Sequence, residues 1–205
     1  VRGIVGHLGF HSLVAENPDV AGIAEAFAKR SNIIVLADDH RFVAINVHTK
    51  YISDHIEMTA RGFVAGLDLM SDGLKGRETL VIGCGELGRH TVKALVAVGG
   101  RVSVCDINPQ LALSLQKEIM EELKTPIQVD NDWCSPPGKY RHMIEATPSA
   151  DFIDASMITR DTYVAVPGVP CGLSLAARHE LYHRYLHDPL QIGVATMVID
   201  AANHS

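Results

Sequence analysis

A glycine-rich turn at residues 83–88 constrains the fold of this chain more than any other feature. The turn follows residues 80–82, a run of large apolar side chains without polar alternation, which is typical of a strand buried on both faces of a parallel sheet. Apolar residues then recur at helical spacing over 87–98, and Gly99-Gly100 ends that helix. A second apolar strand follows over 101–106. This order of elements predicts an α/β fold with a Rossmann-type, doubly wound parallel sheet.

The spacing Gly-x-Gly-x-x-Gly within the turn suits a dinucleotide. Gly83 allows a tight turn from strand to helix, Gly85 allows the backbone to approach a pyrophosphate, and Gly88 allows the helix to pack closely on the sheet. The backbone N–H groups at the start of the helix, around Glu86 and Leu87, attract the phosphate charge together with the helix dipole. Glu86 adds an acid near the phosphates, so we expect its side chain to point to solvent.

An acid at the end of the second strand indicates which dinucleotide is bound. Asp106 lies 18 residues after Gly88, near the distance expected for the acid that binds the adenosine ribose, and its charge would repel a 2′-phosphate. We therefore predict NAD rather than NADP as the cofactor. The alternative interpretation is a glycine-rich turn in an unrelated α/β protein.

Composition and charge exclude several classes of function. The chain has 205 residues, a net charge of −6 and 47% apolar residues, which is ordinary for a globular protein with one core or two small ones. It has no basic run, so nucleic acid is not an expected partner. It also has no apolar stretch approaching the roughly 20 residues that cross a membrane. The chain has 11 histidines, and those of the predicted helix at 173–185, which include His179-Glu180-x-x-His183, most simply belong to a solvated face, so no metal site is predicted.

The cysteines and the N-terminus bear on where the chain is located. The 4 cysteines lack CxxC spacing, and Cys84 and Cys105 lie in or beside the glycine-rich motif. This pattern favours reduced thiols in the cytoplasm over disulfides. The chain begins at Val1 without a basic and apolar leader, so export is not predicted. The absence of an initiator Met suggests that an N-terminal part is missing from this sequence.

The first part of the chain carries two acids after an apolar segment. Asp38 and Asp39 follow what reads as a buried strand, at a position where parallel sheets bind ligands. The alternative is a turn in which they cap a helix or strand. The predicted elements of this part are a strand at 10–14, a helix at 17–30, a buried strand at 32–36 and a strand at 42–47.

A long helix and a polar connection separate the two parts of the chain. Residues 53–70 have helical spacing, with Ser53 as the predicted N-cap. Residues 71–77 form a glycine-punctuated connection. We therefore predict a smaller α/β substrate lobe over residues 1–72 and an NAD-binding Rossmann domain over residues 73–205.

The second part of the chain supplies further candidate residues at strand ends. Thr147-Pro148 follows a predicted strand at a place where Rossmann domains pass the nicotinamide side of the cofactor, although a plain turn is the alternative. Pro167 and Gly168, after the last predicted strand, are also predicted to bind the cofactor. Asp188 precedes the C-terminal helix, which it could merely cap. The other predicted elements are helices at 111–123, 152–158 and 173–185 and strands at 127–129, 143–148 and 163–166.

Four blocks of residues recur in the order and spacing of one known family. They are Leu36-Ala37-Asp38-Asp39 with Phe42-x-Ala44-x-Asn46, then Glu145-Ala146-Thr147-Pro148, then Pro167-Gly168-Val169-Pro170-Cys171, and lastly Asp188-Pro189-Leu190-x-Ile192-Gly193 with Ala195-x-Met197. Together, over essentially the whole chain, these blocks resemble the dehydrogenase of pyrrolysine biosynthesis.

The resemblance implies an activity and two catalytic residues. The activity is NAD-dependent oxidation of the terminal amine carbon of methylornithyl-lysine, with release of ammonia and closure of a pyrroline ring. Asp38 is implied to face the substrate amines, and Asp188, where the family usually has Glu, is implied to hold another cationic group. The family also has an N-terminal helical segment before the residue matching Val1. Three alternatives are open: the segment lies on another chain of a homo-oligomer, this chain is a fragment, or it is a diverged relative.

Two other functions are open from the sequence. One is a different NAD-dependent enzyme of two-domain build that acts on an amino acid or a hydroxy acid. The other is a non-catalytic module that binds NAD. An assay of hydride transfer from amines and hydroxy acids separates the three, because only the implied dehydrogenase requires a methylornithyl-lysine amine.

Overall fold

The computed structural model describes residues 1–204, which divide into two compact units. The first unit comprises residues 1–59 together with the C-terminal segment that begins at Leu190, and the second comprises residues 60–189. The predicted domain ranges, 1–72 and 73–205, group residues 60–72 and the C-terminal segment differently. As a statement about independently folding domains, those ranges stay a prediction.

Seven helices and nine strands are defined within the described residues. The helices are α1 (Arg2–His7), α2 (Asp19–Ala28), α3 (His55–Met70), α4 (Glu86–Ala97), α5 (Pro109–Leu123), α6 (Leu175–Leu181) and α7 (Pro189–Asn203). The strands are β1 (Ile33–Ala37), β2 (Phe42–Asn46), β3 (Ile52–Asp54), β4 (Glu78–Ile82), β5 (Arg101–Cys105), β6 (Gln128–Val129), β7 (His142–Glu145), β8 (Tyr163–Ala165) and β9 (Tyr185–Leu186).

The second unit is built on a six-stranded parallel sheet in the order β6-β5-β4-β7-β8-β9. The strand order reverses between β4 and β7, which is the arrangement of a doubly wound Rossmann sheet. Side chains of β4, β7 and β8 are almost all buried, as a parallel sheet covered on both faces requires. The predicted fold class is therefore confirmed.

The core of the second unit explains why the short strands are stable. Leu80, Met143, Val164 and Leu173 belong to one cluster of buried side chains around the sheet. Each such side chain contributes about 1.5–3 kcal/mol when it is fully removed from water. The strands therefore need few residues of their own, because the apolar cluster holds their ends in place.

The first unit contains a three-stranded antiparallel sheet in the order β1-β2-β3. Ala44 on this sheet packs with Met58, Met197 and Ala201, and the Asn46 amide donates a hydrogen bond to the Ala201 carbonyl at 2.9 Å. The predicted buried strand at 32–36 corresponds to β1, which is only half-buried and forms a hairpin with β2. An apolar run alone does not distinguish a strand of a buried parallel sheet from a strand of a half-exposed antiparallel one.

Four local predictions differ from the structure. The predicted helix at 173–185 ends at Leu181, and a 3₁₀ turn and strand β9 follow it. Residues 10–14 form no strand. Ser53 lies in β3 and does not cap α3; instead Asp54 accepts hydrogen bonds from the N–H groups of Ile56 and Glu57. The predicted helix at 152–158 is reduced to one 3₁₀ turn at Ala155–Met157, because Ile153 pairs with Leu173 in an isolated bridge.

Candidate nucleotide-binding site

The carboxyl edge of the six-stranded sheet brings together most of the predicted site residues. All the strands of the sheet are parallel, so the loops that follow them emerge at one edge. Asp38 is the exception, because it belongs to the first unit. The predicted residues at this edge are Gly83, Gly85, Glu86, Leu87 and Gly88 after β4, Asp106 after β5, Thr147 and Pro148 after β7, Pro167 and Gly168 after β8, and Asp188 after β9.

The glycine turn has the shape of a cradle for an anion. Gly83 has a φ of +97°, and a Cβ there would lie 2.8 Å from the Ala146 carbonyl oxygen. A Cβ at Gly88 would overlap the Gly83 carbonyl oxygen, whereas one at Gly85 would meet nothing within 4 Å. Gly85 caps α4 without a side-chain hydrogen bond. The space beside Gly85 and the uncapped N–H groups of α4 therefore fit a diphosphate.

The two residues after Gly85 differ in exposure. Glu86 is exposed and Leu87 is half-buried. An exposed carboxylate is screened by water. The Glu86 side chain lies in solvent, as we expected, and its charge is therefore compatible with phosphates bound at this turn.

Asp106 connects β5 to the glycine turn. Its Oδ2 atom accepts a hydrogen bond from the Cys84 N–H at 2.7 Å, and its Oδ1 atom accepts one from the Asn108 N–H at 2.8 Å. Burial, assisted by the Asp106 charge, raises the pKa of the Cys84 thiol to about 12. Cys84 is therefore a neutral thiol at this turn.

The loops after β7 and β8 meet at Glu145, which sequence reasoning did not identify as a site residue. Glu145 is fully buried, and its Oε1 atom accepts hydrogen bonds from the N–H and the hydroxyl of Thr147 at 2.6 and 2.5 Å. Its carbonyl oxygen accepts one from the Gly168 N–H at 3.1 Å. The available signal was an acid that ends the apolar run of β7, because an acid is rarely placed in a sheet interior.

Pro148, Pro167 and Asp188 occupy the same edge with different exposure. Pro148 is exposed, whereas Pro167 is buried with Gly168. Asp188 is half-buried and directly precedes α7. The ring of the adjacent His187 is 2.8 Å from the Val166 carbonyl oxygen, which fixes this segment beside the end of β8.

Asp38 lies in the turn between β1 and β2 of the first unit. Its Oδ1 atom accepts hydrogen bonds from the N–H groups of Arg41 at 2.6 Å and His40 at 2.7 Å. These bonds, with the one from Arg41 the larger, hold the pKa of Asp38 below its ordinary value. The exposed carboxylate is therefore ionised at neutral pH, and it stabilises the turn.

Two other kinds of site have no candidate among the described residues. Within residues 1–204, no helix combines the length and the apolar character needed to span a membrane. The same residues contain no group of three or more His, Cys, Asp or Glu side chains that could hold a metal ion.

Solved structures of two dehydrogenases resemble the whole fold. Quinate dehydrogenase from Corynebacterium glutamicum, in complex with NAD, matches with a TM-score of 0.63 and 17% identity over 99% of this chain and 86% of that chain. Shikimate 5-dehydrogenase from Thermus thermophilus, in complex with NADP(H) and shikimate, matches with a TM-score of 0.64 and 17% identity over 98% and 85%. At this level of identity, the similarity concerns the fold.

Sequence comparison identifies the family. Residues 1–53 match the model of the pyrrolysine biosynthesis protein PylD, N-terminal domain. Pyrrolysine synthase from Methanosarcina acetivorans is 30% identical over 97% of this chain and 73% of that relative. Pyrrolysine synthase from Methanosarcina barkeri is 28% identical over 97% and 72%. Because the similarity covers nearly all of this chain and about three quarters of each relative, the chain belongs to the pyrrolysine synthase family of enzymes.

Proposed function

We propose that this enzyme catalyses the NAD-dependent oxidation of the terminal amine carbon of 3-methylornithyl-N6-lysine, with loss of ammonia and ring closure, as the last step of pyrrolysine biosynthesis. The main support is the glycine cradle beside the Asp106 carboxylate, in a chain of the pyrrolysine synthase family. The four free thiols favour a reducing compartment, and we therefore propose the cytoplasm.

The proposed cofactor contacts follow from the shape and charge of the cradle. Gly85 and the first N–H groups of α4 would hold the pyrophosphate, and Asp106 would accept hydrogen bonds from the adenosine ribose. Thr147 and the loop at Pro167-Gly168 would hold the nicotinamide end. Bound NAD supplies a hydride acceptor for the substrate carbon.

Asp38 is proposed to bind a substrate ammonium group. A lowered pKa makes Asp38 a persistent negative charge but a weak base. It therefore serves better as a counter-charge that lowers the cost of binding a cation than as the group that removes the proton. Asp188 is proposed to hold a second cationic group of the substrate.

Ring closure requires little from the protein. Once the terminal carbon is oxidised, its imine is hydrolysed by water to an aldehyde, which releases ammonia. The substrate's own α-amine then attacks the aldehyde carbon and loses water. This attack is intramolecular and already has a high effective concentration. The residues proposed here therefore need only hold the substrate in a folded conformation.

A substrate comparison tests this function. The purified chain is mixed with NAD and, separately, with 3-methylornithyl-N6-lysine, with simple amino acids and with small hydroxy acids. NADH formation with the methylornithyl-lysine amine supports the proposal. NADH formation with a hydroxy acid alone indicates a different dehydrogenase, and NAD binding without hydride transfer from any of these compounds indicates a non-catalytic module.

A further inference from the structure

A buried acid at the end of β7 has no part in the reaction proposed above. Glu145 has no solvent-exposed surface, and burial raises the pKa of its carboxyl group. Burying an acid is costly unless hydrogen bonds compensate for the lost water. The groups that donate hydrogen bonds to the Glu145 carboxylate must therefore offset the cost of burying it.

Three donors converge on this carboxylate from two loops. The N–H and the hydroxyl of Thr147 reach Oε1 from the loop after β7, and the Gly172 N–H reaches Oε2 at 3.2 Å from the loop after β8. The backbone carbonyl of Glu145 also accepts the Gly168 N–H. A single residue thus fixes the position of both loops.

Close packing makes this junction rigid. A Cβ at Gly168 or at Gly172 would lie 2.8 Å from the Glu145 carboxylate. Such a distance is too short for a real contact. A Cβ at Gly168 would also overlap the Thr147 carbonyl oxygen, and one at Gly172 would come within 2.7 Å of the Phe152 ring, so both positions require glycine. The two loops therefore pack with their backbones directly against the carboxylate.

The place of this junction in the sheet indicates which half of a dinucleotide it serves. A dinucleotide lies across the point where the strand order reverses, which here falls between β4 and β7. Asp106, on the β5 side, serves the adenosine half. The loops held by Glu145, on the β7 and β8 side, face the other half.

We propose that Glu145 is a positioning residue for the nicotinamide half of the cofactor, acting through Thr147 and the loop at residues 167–172. The inference rests on the proposed function, because it assumes that a nicotinamide dinucleotide binds at this edge.

The test compares two ligands that differ only in nicotinamide. In Glu145→Gln, the side-chain amide replaces one accepting oxygen with a donor and leaves at least one of the three donors without a partner. We expect the affinity for NAD to fall roughly ten-fold and the affinity for ADP-ribose to change by less than about two-fold. His142→Gln is the matched control, because His142 is buried on the same strand at its amino end; this variant is expected to bind both ligands as the wild type does.

A measurement on the wild type does not depend on the folding of a variant. NAD, but not ADP-ribose, is expected to slow hydrogen exchange at the N–H groups of Thr147 and Gly172, which bond to Glu145. Equal slowing by both ligands, or none by either while NAD binds, would overturn the role of Glu145. Equal losses of affinity for both ligands in Glu145→Gln, or no loss, would also overturn it. A wild-type chain that binds neither ligand would instead refute the proposed function itself.

Discussion

Two glycines of the turn at residues 83–88 differ in what surrounds them. Substitutions at these two positions therefore separate an effect on cofactor binding from an effect on folding. A side chain at Gly88 would strike the Gly83 carbonyl, whereas one at Gly85 would enter open space with an ordinary φ of −70°. We expect Gly85→Ala to leave the free energy of unfolding nearly unchanged and to weaken NAD binding by about 1–2 kcal/mol, or roughly ten-fold. Calorimetric titration with NAD measures this effect.

The matched variant at Gly88 should behave differently. Gly88→Ala forces α4 away from β4, so we expect it to lose both NAD affinity and about 1–3 kcal/mol of stability. Urea unfolding of the two variants measures the difference in stability. If Gly85→Ala bound NAD as tightly as the wild type, the cradle would not be the diphosphate site.

The charge of Asp38 can be removed without disturbing the turn in which the residue lies. The amide oxygen of Asp38→Asn can still accept the hydrogen bonds from His40 and Arg41, so the hairpin should persist. We expect kcat/KM for the amine substrate to fall by at least about ten-fold, since an electrostatic partner of the substrate is lost, and NAD affinity to stay unchanged. Steady-state kinetics with 3-methylornithyl-N6-lysine measures both.

The neighbouring acid serves as the control for this variant. Asp39→Asn removes the same charge one residue away in an exposed position, and it should retain the wild-type kcat/KM. An unchanged kcat/KM in Asp38→Asn, or equal losses in both variants, would exclude a specific role for Asp38.

His142 is expected to make folding sensitive to acid. Burial lowers the pKa of His142 from its ordinary value of 6.5, and within residues 1–204 its Nε2 atom has no hydrogen-bond partner. The unfolded chain therefore binds more protons between the two pKa values. Stability is fully present above pH 6.5 and falls as the pH drops toward the lower, folded-state pKa.

The measurement compares the wild type with His142→Gln. Urea unfolding at about pH 7.5 and about pH 5.5 should show a smaller loss of stability on acidification in the variant than in the wild type. His55 has a pKa lowered by burial as well, so some acid sensitivity should persist. An identical acid-induced loss in both proteins would show that His142 does not titrate on unfolding.

At this scale, the sequence predicts those residues whose role depends on local chemistry. Gly83 and Gly88 were predictable because a tight turn and a close packing follow from residue type and spacing, whereas the role of Asp106 in binding the ribose stays a prediction. Glu145 was not, because its partners Thr147 and Gly172 come together only in the folded sheet. The cap of α3 was assigned to Ser53 instead of Asp54 because β3 continues one residue further than the helical pattern indicates.

Among the elements, α7 packs closely against the side chains at the start of α3 through Gly193. A Cβ at Gly193 would overlap Thr59 Oγ1 and come close to His55 Nε2. We expect Gly193→Ala to lower the free energy of unfolding by about 1–3 kcal/mol, since the overlap forces side chains or backbone to move. Denaturant unfolding measures the loss.

A glycine with free space around it provides the control. A Cβ at Gly3 in α1 would meet nothing within 4 Å, so Gly3→Ala should leave stability unchanged or raise it by up to about 1 kcal/mol. Equal stability of Gly193→Ala and the wild type would contradict the close packing of α7 in the first unit.

A helix or strand was predictable where the spacing of its apolar residues and its length indicate the same kind of element. The strands and helices from β4 to α5 follow their periodicity, because each is long enough to display it. The run at 32–36 carried no signal for an antiparallel partner, and the apolar residues at 10–14 form no strand because no other strand pairs with them. Strand β9, with two residues, is too short to be recognised from its sequence.

For the whole molecule, the fold and the family relationship support different parts of the proposed function. The fold is shared with a quinate dehydrogenase and a shikimate dehydrogenase, and a Rossmann sheet alone does not specify a substrate. The family relationship, over 97% of the chain, supports a role in pyrrolysine biosynthesis, and the amine substrate is the proposal made above. The central claim is thus that the terminal amine carbon of 3-methylornithyl-N6-lysine gives its hydride to NAD.

Deuterium transfer tests this claim most directly. The substrate is labelled with two deuterium atoms on its terminal amine carbon and incubated with the enzyme and unlabelled NAD, and the mass of the NADH formed is measured. The proposed function predicts NADH that carries one deuterium per molecule. NADH without deuterium, or no NADH at all, would contradict it.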